Sequence, residues 1–235
     1  MTFWLVFILL AIGKFADGWG SSSKTIFWSN NHSPQQLLLA WCANAPQLVL
    51  SFCYMAINSE CTSLAGAWEW NQLGTRRKGL RVTKPMEEQR STYFLQLPYK
   101  FSLPLLSVSG LLHWLLSQSI FLVRVDVFDR NGISQSMQSG IGLSTKSVVA
   151  LCGTFYLLVL AVGTIGRRRL RVRIPFAASC SPVISAACHP PPDDQSAHLR
   201  KVQWGVVEER MFDGKRHCTL TSRPVSKPRE GTIYL

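Results

Sequence analysis

The chain has 235 residues, enough for one ordinary domain or two small ones, with 47% hydrophobic residues and 25 Lys+Arg against 13 Asp+Glu, a net charge of +12. The apolar residues gather in long uncharged blocks rather than in short periodic groups, which argues against a soluble core. The basic residues flank those blocks, a pattern of cytosolic loops facing anionic lipid and not of a nucleic-acid-binding face.

Phe3 to Ile12 is a short apolar run that ends near Lys14. No Lys or Arg precedes it, and Lys14 sits badly for a small-residue cleavage site. Residues 1–17 therefore read as a first membrane segment, short and truncated-looking; a secretory signal is the alternative. Three longer stretches contain no Asp, Glu, Lys or Arg: Leu37 to Ile57, Phe101 to Val123 and Ser147 to Gly166. Each has the roughly 20 residues a helix needs to cross the hydrocarbon core.

The loops between them alternate in basic content, which orients the helices. Residues 18–36 hold only Lys24, whereas residues 58–100 hold seven basic residues, from Arg76 to Lys100. Residues 124–146 hold three, offset by Asp126 and Asp129, and the tail from 167 holds thirteen, beginning with Arg167, Arg168, Arg169, Arg171 and Arg173. Both termini and the 58–100 loop are then cytosolic, and the loops around Trp28 and Asn131 face out. The expected fold is an all-α membrane bundle of about four transmembrane helices with a small β-rich cytosolic tail.

Within the tail, residues 167–198 read as a basic and Pro-rich linker containing Pro190, Pro191 and Pro192. Residues 199–235 read as small and β-rich. Val202–Val207 and His217–Thr221 suggest strands on either side of Asp213-Gly214, and Thr232–Leu235 a third. The seven cysteines have no repeated spacing, and none lies in an outer loop, so structural disulfides are not expected.

Several strings carry a resemblance. They are Ala43-Asn44-Ala45-Pro46-Gln47-Leu48, Leu80-Arg81-Val82, Gln89-Arg90-Ser91-Thr92-Tyr93-Phe94-Leu95-Gln96-Leu97-Pro98, Gly110-Leu111-Leu112-His113-Trp114, Ser117-Gln118-Ser119-Ile120-Phe121 and Ser185-Ala186-Ala187-Cys188-His189-Pro190-Pro191. Together they are spread across most of residues 37–207. On them the chain resembles a family of large multi-spanning membrane proteins from filamentous fungi whose function is uncharacterised. The resemblance implies a longer protein of which this is the C-terminal portion, and it supplies no activity or site residue.

Among the polar residues, His113 falls in the middle of an apolar stretch, where an ionisable group is costly and marks a candidate site. Ser102, Ser109 and Ser117 fall within about 40° of it on one helical face, with Gly110 beside them. A second stripe carries Asn44, Gln47, Ser51 and Asn58, with Pro46 freeing a carbonyl nearby. Both stripes read as interhelical hydrogen bonding, or else as the lining of a proton, ion or substrate path. The cluster Arg167, Arg168, Arg169, Arg171 and Arg173 reads as lipid-facing.

Cys180, Cys188 and His189 lack the paired spacing of a zinc site, and no phosphate cradle or nucleophile elbow occurs, so neither a cofactor nor an enzyme activity is expected. The expected partners are membrane lipids and other membrane helices, a second copy of the chain included, with no nucleic acid. Two functions follow: a structural or adaptor membrane protein, or part of a larger one, and alternatively a transporter or channel component.

Overall fold

The computed structural model describes residues 24–30, 33–130, 132, 134–170, 172, 174, 180–212, 215–229 and 231–234. The first membrane segment, residues 1–17, lies outside them. Among the described residues the fold is mixed α/β, with four helices and small sheets, and the chain divides into two units: residues 1–58 with 103–165, and residues 59–102 with 166–235.

The first unit holds strand β1 (Lys24–Asn30), most of helix α1 (Ser33–Leu73), most of α2 (Tyr99–Ser119), strands β5 (Ile120–Phe128) and β6 (Ser134–Leu143), and helix α3 (Thr145–Gly166). The expectation of an all-α bundle is corrected here. The helix expected over Phe101–Val123 stops at Ser119, and the chain passes directly into β5.

Residues 120–128 interleave β-branched Ile120, Val123, Val125 and Val127 with Arg124 and Asp126. That alternation suits a pleated strand better than a further helical turn. β6 is the middle strand of an antiparallel sheet ordered β1-β6-β5, pairing Trp28 with Gly140 on one side and Val123 with Gly140 on the other. The Phe121 ring covers Gly142, where a Cβ would come within 2.7 Å of it.

Three buried serines join the sheet to the helices. The Ser119 hydroxyl donates to the Leu115 carbonyl at 2.7 Å, the Ser144 N–H donates to the Ser119 carbonyl at 3.0 Å, and the Ser147 hydroxyl donates to Ser144 Oγ at 3.2 Å. Ser144 also accepts the first α3 bond, from Val148 N–H at 3.1 Å.

Among the described residues, two helices are long and apolar enough to cross a membrane, over Gln35–Leu73 and Thr145–Gly166. α2 carries His113 and several serines along its apolar length. Large apolar side chains on all three are exposed, among them Leu48, Phe52, Leu106, Trp114, Leu157 and Leu160.

The second unit is built from the end of α1, the short strands β2 (Lys78–Gly79), β3 (Arg81–Val82) and β4 (Arg90–Ser91), helix α4 (Ser181–Ala187), a 3₁₀ turn at Ala197–Leu199, and strands β7 (Lys201–Phe212) and β8 (Lys215–Thr221). Its core is Leu73, Ala187, Ala197, Val202, Trp204 and Leu220, with Trp70, Leu80, Ile174 and Cys218 packed against it. Burial pushes the Cys218 thiol up to about 11, so it is an inert core group at neutral pH.

Three expectations are revised in this unit. The stretch taken as a loop from residue 58 begins as helix, because α1 runs on to Leu73. The linker over residues 167–198 contains α4, which Pro182 starts in the first helical turn and whose Ala187 enters the core, its carbonyl accepting from the Thr219 hydroxyl at 2.9 Å. The sheet's third strand is β2, in the order β2-β7-β8, while the described part of the chain after β8 adds two isolated bridges, Ser226 with Val206 and Tyr234 with Arg216. Asp213-Gly214 lies outside the described residues, and the flanking strands pair in antiparallel register, Gln203 with Thr221 and Val207 with His217.

Residues far apart in sequence are tied together inside this unit. The buried Asn71 side chain bonds both backbone groups of Val172, donating to its carbonyl at 2.5 Å and accepting from its N–H at 3.4 Å. Glu88 N–H donates to the Leu199 carbonyl at 3.1 Å, and Lys201 N–H donates to the Glu88 carboxylate at 3.0 Å. The Lys201 hydrogen bonds hold the Glu88 carboxyl below its ordinary value.

Candidate functional site

In the first unit the structure brings two of the candidate residues together. His113 Nδ1 lies 2.7 Å from Gln47 Oε1, and Gln47 Nε2 donates to the His113 backbone carbonyl at 3.3 Å. The Gln47 amide thus reads both the ring and the main chain of one residue on the facing helix. With the carboxamide oxygen as acceptor, the ring carries its proton on Nδ1.

The other candidates turn to their own helices. Asn44 donates to the Ala40 carbonyl at 2.8 Å, Ser51 to Gln47 at 3.0 Å, and Ser117 to Trp114 at 2.7 Å. Ser109 is half-buried, and Ser102 is buried. Arg167, Arg168 and Arg169 are exposed, while Arg171 and Arg173 lie outside the described residues. Among the described residues, no group of three or more His, Cys, Asp or Glu could hold a metal ion.

The second unit contains a cleft of about 490 Å³ that the sequence did not single out. One wall is the last part of α1, with Trp68, Glu69 and Gln72, and the other is the chain from Arg76 to Pro98. Glu69 organises it. Its carboxylate accepts from Arg81 Nε at 2.9 Å and from an Arg90 Nη at 2.8 Å. Arg81 also donates to the Ser91 carbonyl and to the Tyr93 hydroxyl, and its guanidinium lies 3.9 Å from the centre of the Tyr93 ring. Arg90 Nε donates to the Gly79 carbonyl at 3.0 Å.

Arg76 and Lys78 both donate to the single neutral oxygen Gln72 Oε1. Burial, and then the neighbouring Arg76, push the Lys78 ammonium below its ordinary value; Glu69 opposes this, and Arg90 and Arg81 add to it. The cleft therefore presents four cations and one carboxylate on two aromatic-edged walls. No spacing signal could have found it, because Glu69, Arg81 and Arg90 meet only through the turns between β2, β3 and β4.

A model of a domain of unknown function, DUF8419, matches residues 11–215. The chain belongs to this family. The DUF8419 match spans parts of both units and includes the Gln47–His113 contact and the whole cleft. No curated protein and no solved structure matches the chain. The description of DUF8419 carries no activity, so chemistry has to come from the residues themselves.

Proposed function

We propose that this DUF8419 protein is a multi-pass integral membrane protein of the plasma membrane or an endomembrane, with a structural or adaptor role, either alone or as part of a larger membrane protein. Its apolar helices anchor it, and its second unit meets partners in the cytosol. It is not an enzyme on this reading. One observation carries it: segments that loop charge assigns to the same side are the ones that fold together. Strand β1 from the 18–36 loop pairs with β6 from the 124–146 region, and residues 59–102 share a unit with the tail. Hydrogen-bonded strands and a common core cannot form across a bilayer, so this agreement with the positive-inside bias supports a cytosolic side for residues 59–102 and the C-terminal tail; the cytosolic N-terminus rests on the loop charges alone.

Labelling of single cysteines tests the topology. With Cys61, Cys180, Cys188 and Cys218 replaced, a cysteine at exposed Thr83, Arg130 or Lys227 is offered to an impermeant thiol reagent in intact cells. Only position 130 is expected to react. Reaction at 83 would reverse the assignment.

The transporter or channel reading rests on the same polar stripe and makes a different forecast for His113. As an interhelical hydrogen-bonding residue held by Gln47, His113 is replaceable by Gln or Asn without loss of function. His113→Leu then lowers stability by about 1 kcal/mol, the usual worth of such bonds between membrane helices. On a proton path all three changes abolish function while leaving the melting temperature unchanged, since only His titrates near neutrality. Normal growth of the His113→Gln strain is the expected result.

A further inference from the structure

The charge in the cleft of the second unit is left largely unanswered by the protein. Arg81 and Arg90 share the one carboxylate of Glu69, and Arg76 and Lys78 share one amide oxygen. That leaves N–H donors on Arg76, Lys78 and Arg90 with no protein acceptor among the described residues, at the edge of a space large enough for a small ligand.

We infer that this cleft binds a phosphorylated polyol headgroup, lipid-borne or free. Guanidinium forks match phosphate oxygens in pairs, and the ammonium of Lys78 adds a point charge beside them. Glu69 fixes the planes of Arg81 and Arg90 before any ligand arrives, which lowers the ordering cost of binding. A single carboxylate or inorganic phosphate would leave most of about 490 Å³ unfilled. Trp68 and Tyr93 line the cleft, and each already has a cation against one ring face, Lys100 at 5.0 Å and Arg81 at 3.9 Å, which leaves the opposite face for a hydroxylated ring.

The rim carries a further mark of a built site. Gln96 has φ of 62°, a left-handed conformation that a side chain adopts at a cost and that gathers at ligand sites. The exposed cluster Arg167–Arg169 has positive charge without such walls, and Arg77 belongs to the same basic run as Arg76 and Lys78 but does not line the cleft. These residues provide the controls. The site lies inside one unit and does not depend on the membrane assignment.

Calorimetric titration of the full chain in neutral detergent uses two probes, soluble inositol trisphosphate and a phosphoinositide in the micelle, with unphosphorylated inositol as the blank. At least one phosphorylated probe is expected to bind, and inositol is not. Arg76→Gln with Lys78→Gln is expected to weaken binding by roughly twenty- to thirtyfold, taking the usual worth of one basic group at an anionic surface for each. Arg76→Gln alone gives a smaller loss of the same kind, and Lys78→Arg keeps the affinity.

Arg77→Gln and the triple change of Arg167, Arg168 and Arg169 to Gln are expected to alter binding little. Tighter binding of the micellar probe identifies the lipid as the source, and equal binding identifies the free headgroup. Both outcomes support the site. An equal loss in Arg77→Gln, or no binding of either probe by the folded wild-type chain, overturns it. Neither overturning result bears on the cysteine labelling.

Discussion

Gly79→Ala is expected to destabilise the second unit by about 3 kcal/mol, near the upper end for adding one methyl group to a packed site. A Cβ at position 79 would come to 2.0 Å from the Glu88 carbonyl oxygen, a backbone atom that cannot rotate away. Nor can the Glu88 segment retreat cheaply, because its N–H is bonded to Leu199 and its carboxylate to Lys201. Gly79 itself is held by pairing with Lys201 and by Arg90, so strain on either side opens β2 from β7. The check is thermal unfolding in detergent, followed by tryptophan emission. Gly66→Ala is the control: nothing lies within 4 Å of a Cβ there, and α1 should gain up to about 1 kcal/mol from the better helix former. A Gly79→Ala melt matching wild type would mean that β2 is not held as described.

Asp194→Ala carries a loss of similar size by a different route. The buried carboxylate accepts from the Thr221 hydroxyl at 2.5 Å, the Ser222 N–H at 2.8 Å and the Ser222 hydroxyl at 2.7 Å. It thereby fastens the Pro-rich segment to the end of β8. Removing it leaves three donors without their acceptor, at a cost of about 3 kcal/mol. Asp194→Asn keeps an acceptor and costs less.

The pH dependence follows from the charge. Burial alone would raise the Asp194 carboxyl, but the Thr221 and Ser222 hydrogen bonds, aided by Arg223, hold it below its ordinary value. A carboxyl lowered on folding contributes stability that is fully present above the unfolded value, about 3.9, and that disappears as pH falls through the lower folded value. The wild-type melting temperature should therefore fall below about pH 4 more steeply than that of Asp194→Asn. Parallel curves would show that Asp194 is not the group responsible.

The apolar stretches were legible because length and absence of charge suffice to mark a helix that could cross a bilayer. Their ends were less so. Ile120–Val123 is apolar whether it continues α2 or opens β5, and only pairing with β6 decides. α4 was hidden by the prolines that follow it, although Pro182 sits where prolines start helices. The Gln47–His113 contact joins the two stripes that helical periodicity had marked separately, whereas periodicity says nothing about which faces meet. The cleft was illegible for a stronger reason. Its organising carboxylate, Glu69, lies on a helix, and its cations lie on a chain that folds back in short strands with no repeat.

The pairing of β2 with β7 has a consequence for the order of assembly. Lys78 finds its partner in Val202, so more than half of the chain's length separates the two sides of that ladder. At ordinary translation speeds the first side waits on the order of ten seconds for the second to be made. During that interval Leu73, Trp70 and Leu80 have no core to enter, because Val202, Trp204 and Leu220 do not yet exist. The same delay governs β1, which precedes its partner β6 by about as much chain. Each unit is thus begun early and closed late, and the nascent chain must be kept from aggregating at two places at once.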